Sequence, residues 1–84
     1  MISHIIIDTI RDFDCYSSIY DRIMLDNYID KTEMINIAKE VNNTYNVIEI
    51  MDKSFIVVYK GEKYFIRFDK QMSNGEYYVE VSKF

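Results

Sequence analysis

Two runs rich in aromatic and β-branched residues, 54–59 and 63–68, flank a single glycine, Gly61. Such runs are typical of strands, and glycine adopts the positive φ of a tight hairpin turn without steric cost. With Gly61 and Glu62 as the central residues of a type II′ turn, the predicted cross-strand pairs are Tyr59 with Tyr64, Val57 with Ile66 and Phe55 with Phe68. This register places all six apolar side chains on one face of the hairpin.

Two further strands extend the hairpin on either side. A turn at Asp52 and Lys53 pairs the preceding segment with the hairpin, and Asn74-Gly75 is a turn dipeptide before the last strand. The additional predicted pairs are Ile50 with Phe55, Ile48 with Val57, Val79 with Ile66 and Val81 with Tyr64. The sequence therefore predicts a four-stranded antiparallel meander over residues 45–50, 54–60, 63–69 and 76–82. Its apolar face has to be covered by another layer.

A helix over residues 31–43 supplies part of that layer. Apolar residues recur there at i, i+3, i+4 and i+7, which builds one apolar stripe. Asp30 is the predicted N-cap, and Glu33 stands three residues later as in a capping box. The stripe consists of Met34, Ile37, Ala38 and Val41.

Upstream of this helix the pattern leaves alternatives open. Residues 2–13 place Ile2, Ile6, Ile10 and Phe13 on one helical face with Ser3 as a cap, but the run 4–7 is β-branched enough for an edge strand. Residues 17–28 begin with capping-box spacing and predict a second helix, with a break near Asp14 and Cys15. The predicted fold is a single α+β domain over 1–84, in which N-terminal helices (1–43) pack on one face of the sheet (44–84).

Charge is distributed unevenly along the chain. The net charge is −4, and residues 1–30 contain six aspartates against two arginines, so the acidic excess lies there. This balance disfavours duplex-DNA binding through a basic footprint. Four of these acids, Asp8, Asp12, Asp21 and Asp26, are predicted to lie on helices, where they either keep the protein soluble or attract a basic partner.

Cysteine and hydropathy predict a cytoplasmic protein. Cys15 is the single cysteine, so no internal disulfide forms, and a small buried or half-buried thiol is expected. The first residues lack the basic region of a signal peptide, and no apolar run approaches the roughly 20 residues that span a bilayer. No membrane partner is therefore expected.

Catalytic and cofactor motifs are not apparent in the sequence. His4 and Asp8 have i, i+4 spacing, but one His and one Cys do not complete a closed zinc site. Ser17 and Ser18 lack the glycine-flanked strained turn of a nucleophile, and both glycines belong to turns. The acid pairs Glu76 with Glu80 and Asp26 with Asp30 are expected to be solvated. The prediction is a non-enzyme with no metal and no cofactor.

The outer face of the predicted sheet, opposite the helices, is more informative. Val58 and Phe65 are predicted as direct partners near its centre, flanked by Ile56 and Tyr78. This is more apolar surface than a solvated face requires. Basic side chains, Lys60, Lys63 and Arg67, lie beside it, and residues 63–68 resemble the aromatic and basic strand of RNA-recognition modules, which have a different order of strands and helices.

Three hypotheses follow. The first is a non-catalytic protein-binding module, a small acidic inhibitor or accessory protein of the phage anti-defence or anti-CRISPR kind, that docks on a basic or nucleic-acid-binding partner through the four acids or through the outer face. The second is a single-stranded nucleic-acid binder that uses Phe65, Tyr78 and the basic residues. The third is a self-associating domain, with the outer face as a homodimer interface.

Overall fold

The computed structural model describes residues 2–13 and 20–84. In these residues it contains two helices and one five-stranded antiparallel sheet with the strand order β1-β5-β4-β3-β2. The elements are α1 (Ile2–Arg11), β1 (Tyr20–Met24), α2 (Lys31–Asn42), β2 (Asn46–Ile50), β3 (Ser54–Tyr59), β4 (Glu62–Gln71) and β5 (Tyr77–Lys83). The predicted α+β class is confirmed, but the sheet has one strand more than predicted.

Helix α2 begins and packs as its sequence predicts. The Asp30 side chain accepts a hydrogen bond of 2.9 Å from the backbone N–H of Glu33, which satisfies one of the free donors at the helix start. The four residues of the apolar stripe are all buried. Asn42 ends the helix, and its side chain accepts a hydrogen bond from the backbone N–H of Val47 at the start of the sheet.

Helix α1 resolves the first open alternative, because residues 2–11 are helical and not an edge strand. Ile6 and Ile10 are fully buried against the sheet and α2. Ser3 lies inside the helix and is not its cap. Its hydroxyl donates a 3.0 Å hydrogen bond to Glu40 of α2, so this buried side chain fastens the two helices together.

Strand β1 replaces the second predicted helix. Residues 20–24 pair with β5 in antiparallel register, with Ile23 opposite Val79 and Arg22 opposite Glu80. The predicted helix over 17–28 is therefore wrong in this part, while Asp14, Cys15, Ser17 and Ser18 lie outside the described residues. All five residues of β1 have partners on β5, so the strand is stabilised by its neighbour in the sheet.

The turn of the central hairpin lies one residue earlier than predicted, which changes each cross-strand partner by two residues. Lys60 and Gly61 both have positive φ, 51° and 77°, which is the geometry of a type I′ turn and not of type II′. Tyr59 consequently pairs with Glu62. The other pairs shift alike, to Val57 with Tyr64 and Phe55 with Ile66. A shift of two residues preserves the faces, so the predicted apolar face stays intact.

The remaining pairings also differ from prediction, and each of the two strand pairs concerned contains a bulge. Ile50 pairs with Phe55 as predicted, but a bulge between Val47 and Glu49 places Val47 opposite Val57 and leaves Ile48 exposed. Strand β4 pairs with β5 two residues away from prediction, with Ile66 opposite Val81 and Tyr64 opposite Lys83, and has a bulge after Arg67.

The core lies between the two helices and the inner face of the sheet. It contains the stripe of α2 together with Ile6 and Ile10 of α1. The sheet contributes Ile23, Phe55, Val57, Tyr64, Ile66, Phe68, Val79 and Val81. Both helices therefore cover one face of the sheet, and the opposite face is left as a candidate binding surface.

Candidate functional site

The outer face, which is the sheet face away from the helices, has an apolar centre. Phe65 of β4 lies opposite Ile56 of β3, whereas Val58 pairs with Lys63 and not with Phe65 as predicted. All three apolar side chains are half-buried. Phe84 packs beside Phe65 with 5.6 Å between ring centroids and is 64% exposed. Sequence reasoning missed Phe84, although the alternation of β5 continues to it.

Tyr78, the fourth predicted residue of this face, is covered by an arginine. The guanidinium of Arg22 lies 5.2 Å from the ring centroids of both Tyr20 and Tyr78, a cation–π arrangement that spans β1 and β5. It also donates hydrogen bonds to the Tyr20 hydroxyl and to the Met72 sulfur. The hydrogen bond with Tyr20 raises the pKa of Arg22. Only 9% of Tyr78 remains exposed, so its ring face is already occupied.

Two basic side chains of β4 are paired with acids. Lys70 lies 3.9 Å from Glu80, and Arg67 lies 3.6 Å from Asp69 while its guanidinium rests over the Phe65 ring. Ion pairs of this kind compensate the positive charge that would hold phosphates.

The predicted acids are distributed differently from expectation. Asp8 lies on α1 and Asp12 directly follows it, but Asp21 belongs to strand β1 and Asp26 to the loop after it. The expectation that all four are helical is therefore wrong. Three of them line one open groove between α1 and β1, which we call the α1–β1 groove. Its lining residues are Ile5, Asp8, Thr9, Asp12, Asp21 and Arg22.

Arg11 partly compensates the charge of the α1–β1 groove. It forms ion pairs of 3.2 Å with Asp8 and with Asp12. The hydrogen bond from Arg11 lowers the pKa of Asp12, so this carboxylate stays ionised at neutral pH. Arg11 pairs with two of the three carboxylates. Arg22 also lines the groove, but its guanidinium is held over the Tyr20 and Tyr78 rings. The groove therefore retains a negative excess.

Asp26 is separate from these three acids. It lines another open depression together with Asn74, Gly75 and Glu76 at the end of the β4–β5 connection. The structure therefore brings together Asp8, Asp12 and Asp21 but not the fourth predicted acid. This separation makes Asp26 a useful control position.

Comparison of the chain with models of protein families, with curated proteins and with solved structures finds no match. Its function is therefore inferred from two surfaces, the α1–β1 groove and the outer face.

Other kinds of site find little support in the described residues. Among residues 2–13 and 20–84, no group of three or more His, Cys, Asp or Glu is arranged to hold a metal ion. A partly enclosed cavity beside Tyr28, Met34 and Phe68 has a volume of about 60 Å³. Small-molecule sites typically have roughly 300 Å³ or more, so this cavity is too small for one. No helix in the described part of the chain is long and apolar enough to span a membrane.

Proposed function

We propose that the protein is a non-catalytic binding module that docks through the α1–β1 groove on a basic surface of another protein. The observation that carries this proposal is the convergence of Asp8, Asp12 and Asp21, which come from two elements, on one exposed groove. A basic or nucleic-acid-binding protein offers the complementary charge. An inhibitor or accessory protein of the phage anti-defence kind would occupy such a surface in place of phosphates.

Electrostatic docking of this kind has a measurable signature. The carboxylates of the groove are solvent-accessible, so added salt screens their attraction to a partner, with a Debye length of about 10 Å at 0.1 M. Charge complementarity acts mainly on association rate and on partner choice. Binding should therefore weaken steeply as salt is raised.

The test compares two variants of equal net charge. One carries Asp8→Asn, Asp12→Asn and Asp21→Asn, which neutralise the groove without changing side-chain size. The control carries Asp26→Asn, Glu33→Gln and Glu76→Gln, which remove three exposed acids outside the groove. Each tagged protein is used for capture from a nuclease-treated lysate of cells that express it, with mass spectrometry of the eluate.

The wild-type protein and the control variant are expected to retain the same basic protein, and the groove variant is expected to lose it. Circular dichroism checks that both variants keep the fold. Equal retention by the groove variant, or retention that is indifferent to salt, would contradict docking through the groove.

The outer face supports a second candidate function, an apolar interface with a partner or with a second copy. The observation that favours it is the largely exposed Phe84 ring beside Phe65. A Phe84→Ser change should then lower the light-scattering mass at high protein concentration. A mass that stays that of the monomer at every concentration would exclude self-association.

Nucleic-acid binding on the outer face has less support. The Tyr78 ring is covered by Arg22, so a base has no free face on which to stack there. Phe65 is flanked by Arg67 and Phe84, and Arg67 is itself paired with Asp69. Retention of nucleic acid in a parallel capture from untreated lysate, lost on nuclease treatment and on Phe65→Ala, would restore this hypothesis.

A further inference from the structure

Strand β1 forms one edge of the sheet, and its register defines which backbone groups point outward. The N–H of Leu25 donates a 3.0 Å hydrogen bond to the carbonyl of Tyr77 on β5. Because hydrogen-bonding residues alternate along an antiparallel strand, Asp21 and Ile23 also direct their backbone groups toward β5. The N–H and C=O groups of Tyr20, Arg22 and Met24 therefore point away from the sheet. No described strand pairs with this side of β1.

The open edge of β1 has carboxylates on its helix side and an exposed apolar side chain on its outer side. On the helix side lies the α1–β1 groove with its three carboxylates and with Ile5, which is 47% exposed. On the outer face Met24 stands at the edge and is 49% exposed. A strand added here would direct alternate side chains into the acidic groove and the others past Met24.

The other edge of the sheet is less suitable for strand addition. A bulge between Val47 and Glu49 interrupts β2, and bulges disrupt the regular ladder that an incoming strand requires. Strand β1, in contrast, has five consecutive pairs with β5 and no register shift. The regular edge is therefore the one beside the acidic groove.

We propose that the partner binds by strand addition to β1, through an extended segment with Lys or Arg at alternate positions. The basic side chains would contact Asp8, Asp12 and Asp21, with their methylene stems over Ile5, and the intervening residues would be small or β-branched beside Met24. This inference rests on the proposed function, and it adds the binding mode and the sequence pattern of the partner.

A second copy of this chain fits the edge less well. If two β1 strands paired about a two-fold axis, both helix layers would lie on the same side of the joined sheet. The two acidic grooves would then be neighbours, with six carboxylates against two copies of Arg11. Like charges at an interface oppose association. A basic segment of another protein avoids this repulsion.

The experiment uses amide hydrogen exchange, followed by NMR residue by residue, on the full chain. In the free protein we expect rapid exchange at Tyr20, Arg22 and Met24, and slow exchange at Asp21 and Ile23. The probe is a short synthetic peptide in which Lys alternates with Val or Thr. Saturating peptide should slow exchange at the three outward amides by on the order of tenfold or more.

Two controls isolate strand addition from simple charge attraction. A version of the peptide with every backbone amide N-methylated keeps every charge but has no backbone N–H donors, and it should give no protection. The Asp8→Asn, Asp12→Asn and Asp21→Asn variant should bind the unmodified peptide at least tenfold more weakly, whereas the Asp26→Asn, Glu33→Gln and Glu76→Gln variant should bind it as the wild type does.

Three results would overturn the inference. Slow exchange at Tyr20, Arg22 and Met24 in the free protein would mean that the edge is already occupied, and a dimeric light-scattering mass would identify a second copy as the occupant. Equal binding of the normal and N-methylated peptides would show docking by charge alone. The absence of any protection at saturating peptide would exclude strand addition. In the last two cases, capture of a protein that depends on the groove acids would still support the proposed function.

Discussion

Ile66 lies in the middle of β4 on the inner face, opposite Phe55 and Val81, and its side chain is 0% exposed. An Ile66→Ala change removes three buried carbons, which costs about 2.4 kcal/mol of transfer free energy at about 0.8 kcal/mol per carbon. The cavity adds to this loss, so we expect about 3–4 kcal/mol in total. A chain of 84 residues typically has roughly 4–13 kcal/mol of folding stability, so the variant should be severely destabilised.

Ile56→Ala is the matched control for this prediction. Ile56 lies on the neighbouring strand β3 but on the outer face, where it is half-buried. The same three carbons are removed and the same β-propensity is lost, so both changes share that cost. The control should lose about 1 kcal/mol, and the difference of about 2–3 kcal/mol measures burial beneath the helices.

Urea unfolding followed by circular dichroism measures both free energies of unfolding. The slope with denaturant should stay unchanged, so that a shift in midpoint reports stability alone. Thermal midpoints should fall by roughly 4–8 °C for each kcal/mol in a domain of this size. Equal losses for the two variants, or a larger loss for Ile56→Ala, would refute the assignment of the face that the helices cover.

Three further predictions concern local structure. Asp30→Ala should cost about 1 kcal/mol of unfolding free energy, because the N–H of Glu33 loses its capping acceptor, and a loss near zero would contradict the cap. Lys60→Asn should raise the thermal midpoint, because asparagine tolerates the positive φ of this turn position better than lysine, and no gain would argue against the type I′ turn. Burial raises the pKa of Tyr45 above its ordinary 10.0, so its contribution to stability is present below about pH 10 and is lost as pH rises through the raised pKa. Tyr45→Phe should therefore flatten the loss of thermal stability above about pH 10, and an unchanged profile would contradict this assignment.

The inner face of the sheet was predictable from the sequence although the register was not. A type I′ turn at Lys60 requires lysine at positive φ, which residue preferences disfavour, so the pattern favoured placing Gly61 first. The resulting error changes every cross-strand partner in the hairpin by two residues, but it leaves each of these side chains on its predicted face. Ile66 and Val81 are therefore buried as predicted, with different partners.

Strand β1 was harder to predict, because its residues fit the 3.6-residue period of a helix as well as the two-residue period of a strand. Tyr20, Ile23 and Met24 share one face of a hypothetical helix, whereas in the strand Tyr20 and Met24 point to the outer face and Ile23 points to the core. A strand of five residues gains its stability from its neighbours. Pairing with β5 and the contact of Arg22 with the Tyr78 ring supply that stability, and both are long-range in sequence.

The additional strand β1 changes the candidate binding surface as well as the fold. In a four-stranded meander the last strand, β5, would be an open edge, and nothing in its alternation of Val79, Glu80 and Val81 distinguishes it as a docking site. Strand β1 covers that edge and brings Asp21 beside α1, so the exposed ladder now lies next to carboxylates. The unpaired N–H and C=O groups of an edge strand can hydrogen-bond to any extended chain. Negative charge beside them favours chains that are basic. Selectivity for a basic strand thus follows from where one short strand packs, and neutralising the α1–β1 groove should broaden the range of peptides that bind even as it weakens the basic ones.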